Sequence, residues 1–169
     1  MTKNCFEKDW KSSKLMNLIK NPAEQEKVKE VLYKNYKLIK ELYRQYSSWS
    51  PFNSDIWAVS NNAFTEFCYL AKIITKDTPL TIIDLTFITT NSISGADLKG
   101  NPLVPERGLV RFQFMEGLVR LSEEKFKKNG LADSFLGSVT NMIKDHIQPL
   151  EGNPLCSSEG WRVKNYFCE

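Results

Sequence analysis

Few residues in this sequence have the side chains that chemistry needs, and those few stand apart. His146 is the single histidine, and Asp145 is its direct neighbour. Adjacent residues on a helix do not face each other, so the pair makes no proton relay. Near a helix C-terminus, where the sequence puts it, such a histidine is expected to cap or to be exposed. The four cysteines, Cys5, Cys68, Cys156 and Cys168, form no short pair. They read as reduced thiols, not as a disulfide framework or a zinc site. Gly95-Ala96-Asp97-Leu98-Lys99-Gly100 has two glycines and no Gly-Lys-Ser/Thr ending, so it reads as a loop and not a phosphate cradle. No nucleophile elbow or dinucleotide motif is present. The expectation is a chain without a catalytic site, cofactor or metal.

The bulk composition suits that expectation. The chain has 169 residues, 41% apolar and 25% charged, enough for one domain with a core, with or without an attached arm. No apolar run reaches the roughly 20 residues of a membrane helix, and Met1-Thr2-Lys3-Asn4-Cys5 does not open a signal peptide. A cytoplasmic protein with no membrane contact is expected. Charge is uneven: residues 1–48 hold 11 Lys/Arg against 6 Asp/Glu, whereas 49–169 hold 12 against 14. The basic part suggests docking to an acidic partner. Nucleic acid is not expected, because the cations interleave with Glu and match no recognition motif.

The pattern along the chain is mainly helical. Residues 1–20 carry Phe6, Trp10, Leu15, Met16, Leu18 and Ile19, a short helix or an arm that orders on docking. Asn21-Pro22-Ala23-Glu24 opens a strong helix, with Asn as N-cap, Pro at the first turn and an early acid. Its apolar stripe is Val28, Val31, Leu32, Ile39, Leu42, Tyr43 and Tyr46. Lys27, Lys34, Lys37 and Arg44 lie opposite, and the helix is expected to end near Tyr46, before Ser50-Pro51. Trp49 and Trp57 flank the following loop. They are core residues if buried and partner contacts if exposed.

A second helix should begin at Ser60, with Phe64, Phe67, Cys68, Ala71 and Ile74 buried. Thr81–Ile88 mixes β-branched residues with a Thr81-x-x-Asp84 capping box, and is assigned as helix. A long loop spans 91–106, and a loop of that length is usually functional or poorly ordered. A helix over 110–128 follows, with Phe114, Leu118, Leu121 and Phe126 on its apolar side and a stop at Asn129-Gly130. Asp133 should cap the next helix, with Leu136, Val139, Ile143 and Ile147 inside. The expected organisation is an arm over 1–20, a helical domain over 21–148 and an irregular docked tail over 149–169 containing Trp161, Tyr166 and Phe167.

Two halves share one layout: helix, loop, a short β-like apolar step, helix. Val59 to Phe64 is five residues, and so is Leu109 to Phe114. That is the spacing of an EF-hand pair, whose hands join through a short strand at each loop. The calcium chemistry does not follow. With Val59 eighth in the loop, the first, third, fifth and twelfth positions are Phe52, Ser54, Ile56 and Ala63. With Leu109 eighth, the twelfth is Gln113. Both loops therefore lack the bidentate Glu that calcium needs at the twelfth position. Asp55, Asp97 and Glu106 remain as scattered carboxylates.

Several segments carry a resemblance. They are Tyr33-Lys34-Asn35-Tyr36 through Tyr43, Asn62-Ala63-Phe64-Thr65-Glu66-Phe67-Cys68 and Phe87-Ile88-Thr89-Thr90-Asn91. Gly100-Asn101-Pro102 with Arg107-Gly108-Leu109-Val110-Arg111-Phe112-Gln113-Phe114-Met115-Glu116-Gly117-Leu118-Val119-Arg120-Leu121 is the most specific. Trp161-Arg162 and Tyr166-Phe167-Cys168-Glu169 close the set. Over roughly 25–169 the chain resembles the degenerate EF-hand-type domains of ciliary and flagellar axonemal proteins of protists. In that family the chain often continues past the final Glu into another helical hand. The resemblance implies an EF-hand-like helix-loop-helix pair with extra N-terminal and C-terminal helices. It further implies a non-catalytic structural or adaptor role on tubulin or microtubule-associated proteins, within a large axonemal assembly of the cytoskeleton. The candidate partner contacts are Lys27, Lys34, Lys37, Arg44, Trp49 and Trp57. The alternative is a calcium-binding EF-hand sensor or buffer.

Overall fold

The computed structural model describes residues 2–48, 57–92 and 107–153. These are mainly helical: α1 Thr2–Ser12, α2 Leu15–Leu18, α3 Pro22–Lys34, α4 Tyr36–Ser47, α5 Asn61–Leu70, α6 Leu80–Asn91, α7 Arg111–Ser122 and α8 Phe135–Met142. Two of them run on into single π turns. One covers Glu123–Lys127 after α7, and the other Ile143–Ile147 after α8, with a 3-10 turn over Gln148–Leu150 closing the described chain.

The local starts follow side-chain chemistry. Asn21 Oδ1 accepts the Ala23 N–H at 3.0 Å, and Pro22 begins α3. Ser60 Oγ accepts from Ala63 N at 3.3 Å and starts α5. Three expectations shift. The helix expected from 21 to 46 breaks at Asn35, whose Nδ2 donates to Val31 O at 2.9 Å while its backbone leaves the helical region. A side chain competing for a helix carbonyl is a common cause of such a break. The Thr81–Asp84 box does not form: α6 starts after Pro79, and Asp84 Oδ1 instead accepts from Asn61 Nδ2 at 3.1 Å. Ser134, not Asp133, caps α8, accepting from Gly137 N at 3.1 Å. At Gly130 the backbone turns left-handed (φ 70°), which favours glycine and ends the preceding helix.

The core centres on α5 and α7. Val59 and Leu109 form an isolated antiparallel bridge with two hydrogen bonds of 2.9 and 2.8 Å. These are the two apolar step residues expected from the sequence. The bridge sets the starts of α5 and α7 side by side. Five residues on, the buried rings of Phe64 and Phe114 meet edge to face at 6.2 Å. Phe67, Phe87, Tyr43 and Tyr46 extend this aromatic cluster. Each such pair adds about 0.5–1.5 kcal/mol beyond its buried area.

Residues 1–20, separated as an arm in the sequence, belong to this core. Phe6, Trp10, Leu15 and Ile19 are buried, and Phe6 packs edge to face on Tyr36 at 5.2 Å. A polar tether fixes them. Arg111, two residues beyond the bridge, forks onto Asp9 through Nε (2.6 Å) and an Nη (3.0 Å). Tyr36 Oη donates to the same carboxylate at 2.5 Å. Nearby, buried Glu116 accepts from Lys14 N at 2.9 Å and from Arg120 Nε at 3.0 Å. Burial first, then the hydrogen bond to Asp9 and its charge, raises the Tyr36 phenol. The Arg111 guanidinium is also raised, chiefly by its hydrogen bond to Asp9. Leu150, assigned to the tail, is buried beside this helical body, while 154–169 lies outside the described residues.

Arg111→Met is expected to lower stability by about 2 kcal/mol, read as a shifted urea midpoint at constant slope. A fully buried pair would lose roughly 3–5 kcal/mol, but one edge of this guanidinium meets water. An Asp9→Asn/Arg111→Met double variant should recover part of the loss, because no unpaired charge is left buried. Alkali gives a second check. Burial holds the Tyr43 phenol up at about 12 and raises Tyr36 as well. The unfolded chain loses these protons near pH 10 while the folded chain keeps them. Stability is therefore fully present below about pH 10 and falls as pH rises through about 12, and Tyr43→Phe should flatten that limb.

Candidate interaction surfaces and the contacts that fix them

The predicted partner contacts fall on different parts of the surface. Lys27, Lys34, Lys37 and Arg44 are exposed on α3 and α4. Lys34 is neutralised by Glu30 at 2.8 Å. Lys37 and Arg44 share one face of α4, being seven residues apart, and no ion pair to another described residue engages them. Lys27 belongs elsewhere, on the wall of a groove between α1 and α3. Trp57 is 67% exposed, although its backbone carbonyl is held by the Tyr43 hydroxyl. It is therefore not a core residue. Trp49 lies outside the described residues, as do Asp55, Asp97 and Glu106.

A second surface was not expected from the sequence. α6 buries Ile83, Phe87 and Thr90 on one side. On the other it presents Leu85 (58% exposed) and Ile88 (63% exposed). The neighbouring α5 leaves Tyr69 53% exposed. The signal was available: Leu80, Ile82, Ile83, Leu85, Phe87 and Ile88 put apolar residues all around one helix. Such a helix is covered on both sides or waits for a partner.

The connection between α5 and α6 is clamped from two directions. Lys125, in the π turn after α7, donates to the Ile73 carbonyl at 2.8 Å. His146, in the π turn after α8, lies with Nδ1 2.7 Å from the Ala71 carbonyl. Only an N–H approaches a carbonyl oxygen so closely, so Nδ1 carries the proton. This corrects the expectation of an exposed or capping histidine. The extra residue in a π turn rotates the side chains beyond it, and it brings His146 half-buried against Phe126. Burial lowers the imidazole below its ordinary value. Lys125 pushes the same way, while the Ala71 carbonyl and Asp145 oppose it. Burial also lowers the Lys125 ammonium. Both groups are spent on backbone carbonyls.

The two positions that a calcium loop would give to glutamate are likewise engaged in structure. Ala63 is buried inside α5. Gln113 is buried and its Oε1 accepts from Val110 N at 3.0 Å, capping α7. Among the described residues no group of three or more His, Cys, Asp or Glu converges. No described helix is long and apolar enough to cross a membrane. No family profile, curated protein or solved structure matches this chain.

A depressed histidine has a definite acid signature. The folded state resists protonation, so its contribution is present above about pH 6.5 and is lost as pH falls through the folded value. Between pH 7.5 and 5 the melting temperature of the wild type should drop more steeply than that of His146→Gln. Parallel curves would mean that His146 plays no part in the acid limb.

Proposed function

We propose that the chain is a non-catalytic structural or adaptor protein, associated with axonemal microtubules and neighbouring ciliary proteins. The observation that carries the interaction role is α6, apolar on two faces with Leu85 and Ile88 left in water. Exposed apolar area of this kind is stabilised by a protein neighbour. The basic face of α4 supports an acidic partner such as tubulin, reached first through long-range attraction. Two separate surfaces suit a protein that holds two neighbours in register. The axonemal placement rests on the sequence resemblance.

Co-sedimentation with polymerised microtubules tests this reading. Binding is expected at low salt, weakening as salt screens the basic face. Lys37→Glu/Arg44→Glu should weaken it by about tenfold or more, with an unchanged melting temperature because both side chains are exposed. Leu85→Ser/Ile88→Ser should leave this binding unaltered, since the apolar face serves the second neighbour. A wild-type chain that stays in the supernatant at low salt would sink the microtubule assignment.

A further inference from the structure

Asn129-Gly130 is the one Asn-Gly pair in the sequence. Both residues are exposed, and they stand at the end of the helical run that begins with α7. An asparagine before glycine is chemically labile, because glycine has no Cβ to obstruct attack of its backbone nitrogen on the preceding carboxamide. That attack requires the Asn129 carboxamide carbon and the Gly130 nitrogen to meet, and the fold holds them apart. Asn129 Nδ2 donates to the Lys125 carbonyl at 3.0 Å, four residues back. The carboxamide is thus drawn toward the start of the helix, the direction in which helical side chains lean. The Gly130 N–H is engaged as well, donating to the Lys127 carbonyl at 3.1 Å. Two more bonds close the turn: Leu131 N and Ala132 N both donate to the Phe126 carbonyl, at 2.7 and 3.1 Å.

We propose that Asn129 is a deamidation site gated by this turn: the closed turn protects the amide, the open turn lets it convert to aspartate and isoaspartate, and the products keep the turn from closing again. The only co-reactant is water. The Gly130 nitrogen gives up its proton and forms a bond to Asn129 Cγ. The bond from Cγ to Nδ2 breaks, and ammonia leaves with that proton, giving a five-membered succinimide. Water then opens the ring. Cleavage at Cγ gives aspartate, and cleavage at the backbone carbonyl gives isoaspartate. The net change is carboxamide plus water to carboxylate plus ammonium. Neither product suits the turn. Aspartate lacks the Nδ2 donor to Lys125 and adds negative charge at a helix C-terminus, where the backbone dipole is already negative. Lys127 and Lys128 stand close by, but they are paired with Glu123 and Glu124. Isoaspartate routes the chain through the side-chain carbon and adds a backbone atom ahead of Gly130. That shifts Gly130, Leu131 and Ala132 out of register with the Lys127 and Phe126 carbonyls. The turn leads to the Ser134 cap of α8, so its loosening reaches the packing of α8 on α7. The inference is independent of the adaptor reading, and the failure of either leaves the other standing.

The test incubates the whole wild-type chain at neutral pH and body temperature, in native buffer and in guanidinium chloride. Mass spectrometry then follows the tryptic peptide 129–144. A gain of one mass unit, placed at Asn129 by fragment ions, marks conversion. Asn141 lies in the same peptide before Met142 and serves as internal control. In guanidinium, Asn129 should convert faster than Asn141. In native buffer its conversion should be slower by about tenfold or more, because it waits for the turn to open. Gly130→Pro in guanidinium should stop it, since a proline nitrogen has no proton to give up. Folded Asn129→Asp, which reproduces one product, should melt about 2–4 °C below the wild type. Equal rates at Asn129 in the folded and unfolded chain overturn the proposal, as does an Asn129 that is no faster than Asn141 in guanidinium. An unchanged melting temperature for Asn129→Asp overturns the part in which the product holds the turn open. Both rates are read on the wild-type chain, so the test does not depend on any variant folding.

Discussion

Two hydrogen bonds between Val59 and Leu109 set the geometry that everything else uses. They are too few to be called a sheet, yet they fix where α5 and α7 begin. From those starts the helical rise carries Phe64 and Phe114 to the same depth, where their rings meet. The same register puts Arg111 two residues past the bridge, within reach of Asp9. A slip of one residue would turn Arg111 and Phe114 to other faces at once. The aromatic cluster and the ionic tether are therefore consequences of a single pairing, which buries both backbones without leaving a donor or acceptor unmatched.

The tether explains why α1 belongs to the body of the protein. A short helix has little stability of its own in water. α1 is held by Phe6 and Trp10 on the apolar side and by the Asp9 carboxylate on the polar side. That carboxylate is buried but has three donors around it, the combination in which a buried charge is tolerated. Fixing α1 in turn creates the groove against α3.

Polar groups elsewhere are used in the same structural way. Lys125 and His146 are residue types that often carry reactivity, and both are occupied by the carbonyls of the α5–α6 connection. Gln113 and Ala63 fill the positions where calcium ligands would stand, one as a helix cap and one as core. Among the described residues, α6 keeps apolar side chains exposed and α4 keeps cationic ones exposed.

Composition and periodicity by themselves determined the mainly helical class, the caps at Asn21 and Ser60, and the paired five-residue intervals Val59–Phe64 and Leu109–Phe114. These are local properties: a cap needs only its own next turn, and a period needs only one helix. Three features were decided by the tertiary structure. The Asp9–Arg111 contact joins residues 102 apart, a separation over which sequence alone offers no pairing rule. The inward turn of His146 depends on a π turn that packing imposes and periodicity does not reveal. Which face of α6 stays in water could not be read from a helix apolar all round; it was settled by where α5 and α7 came to lie.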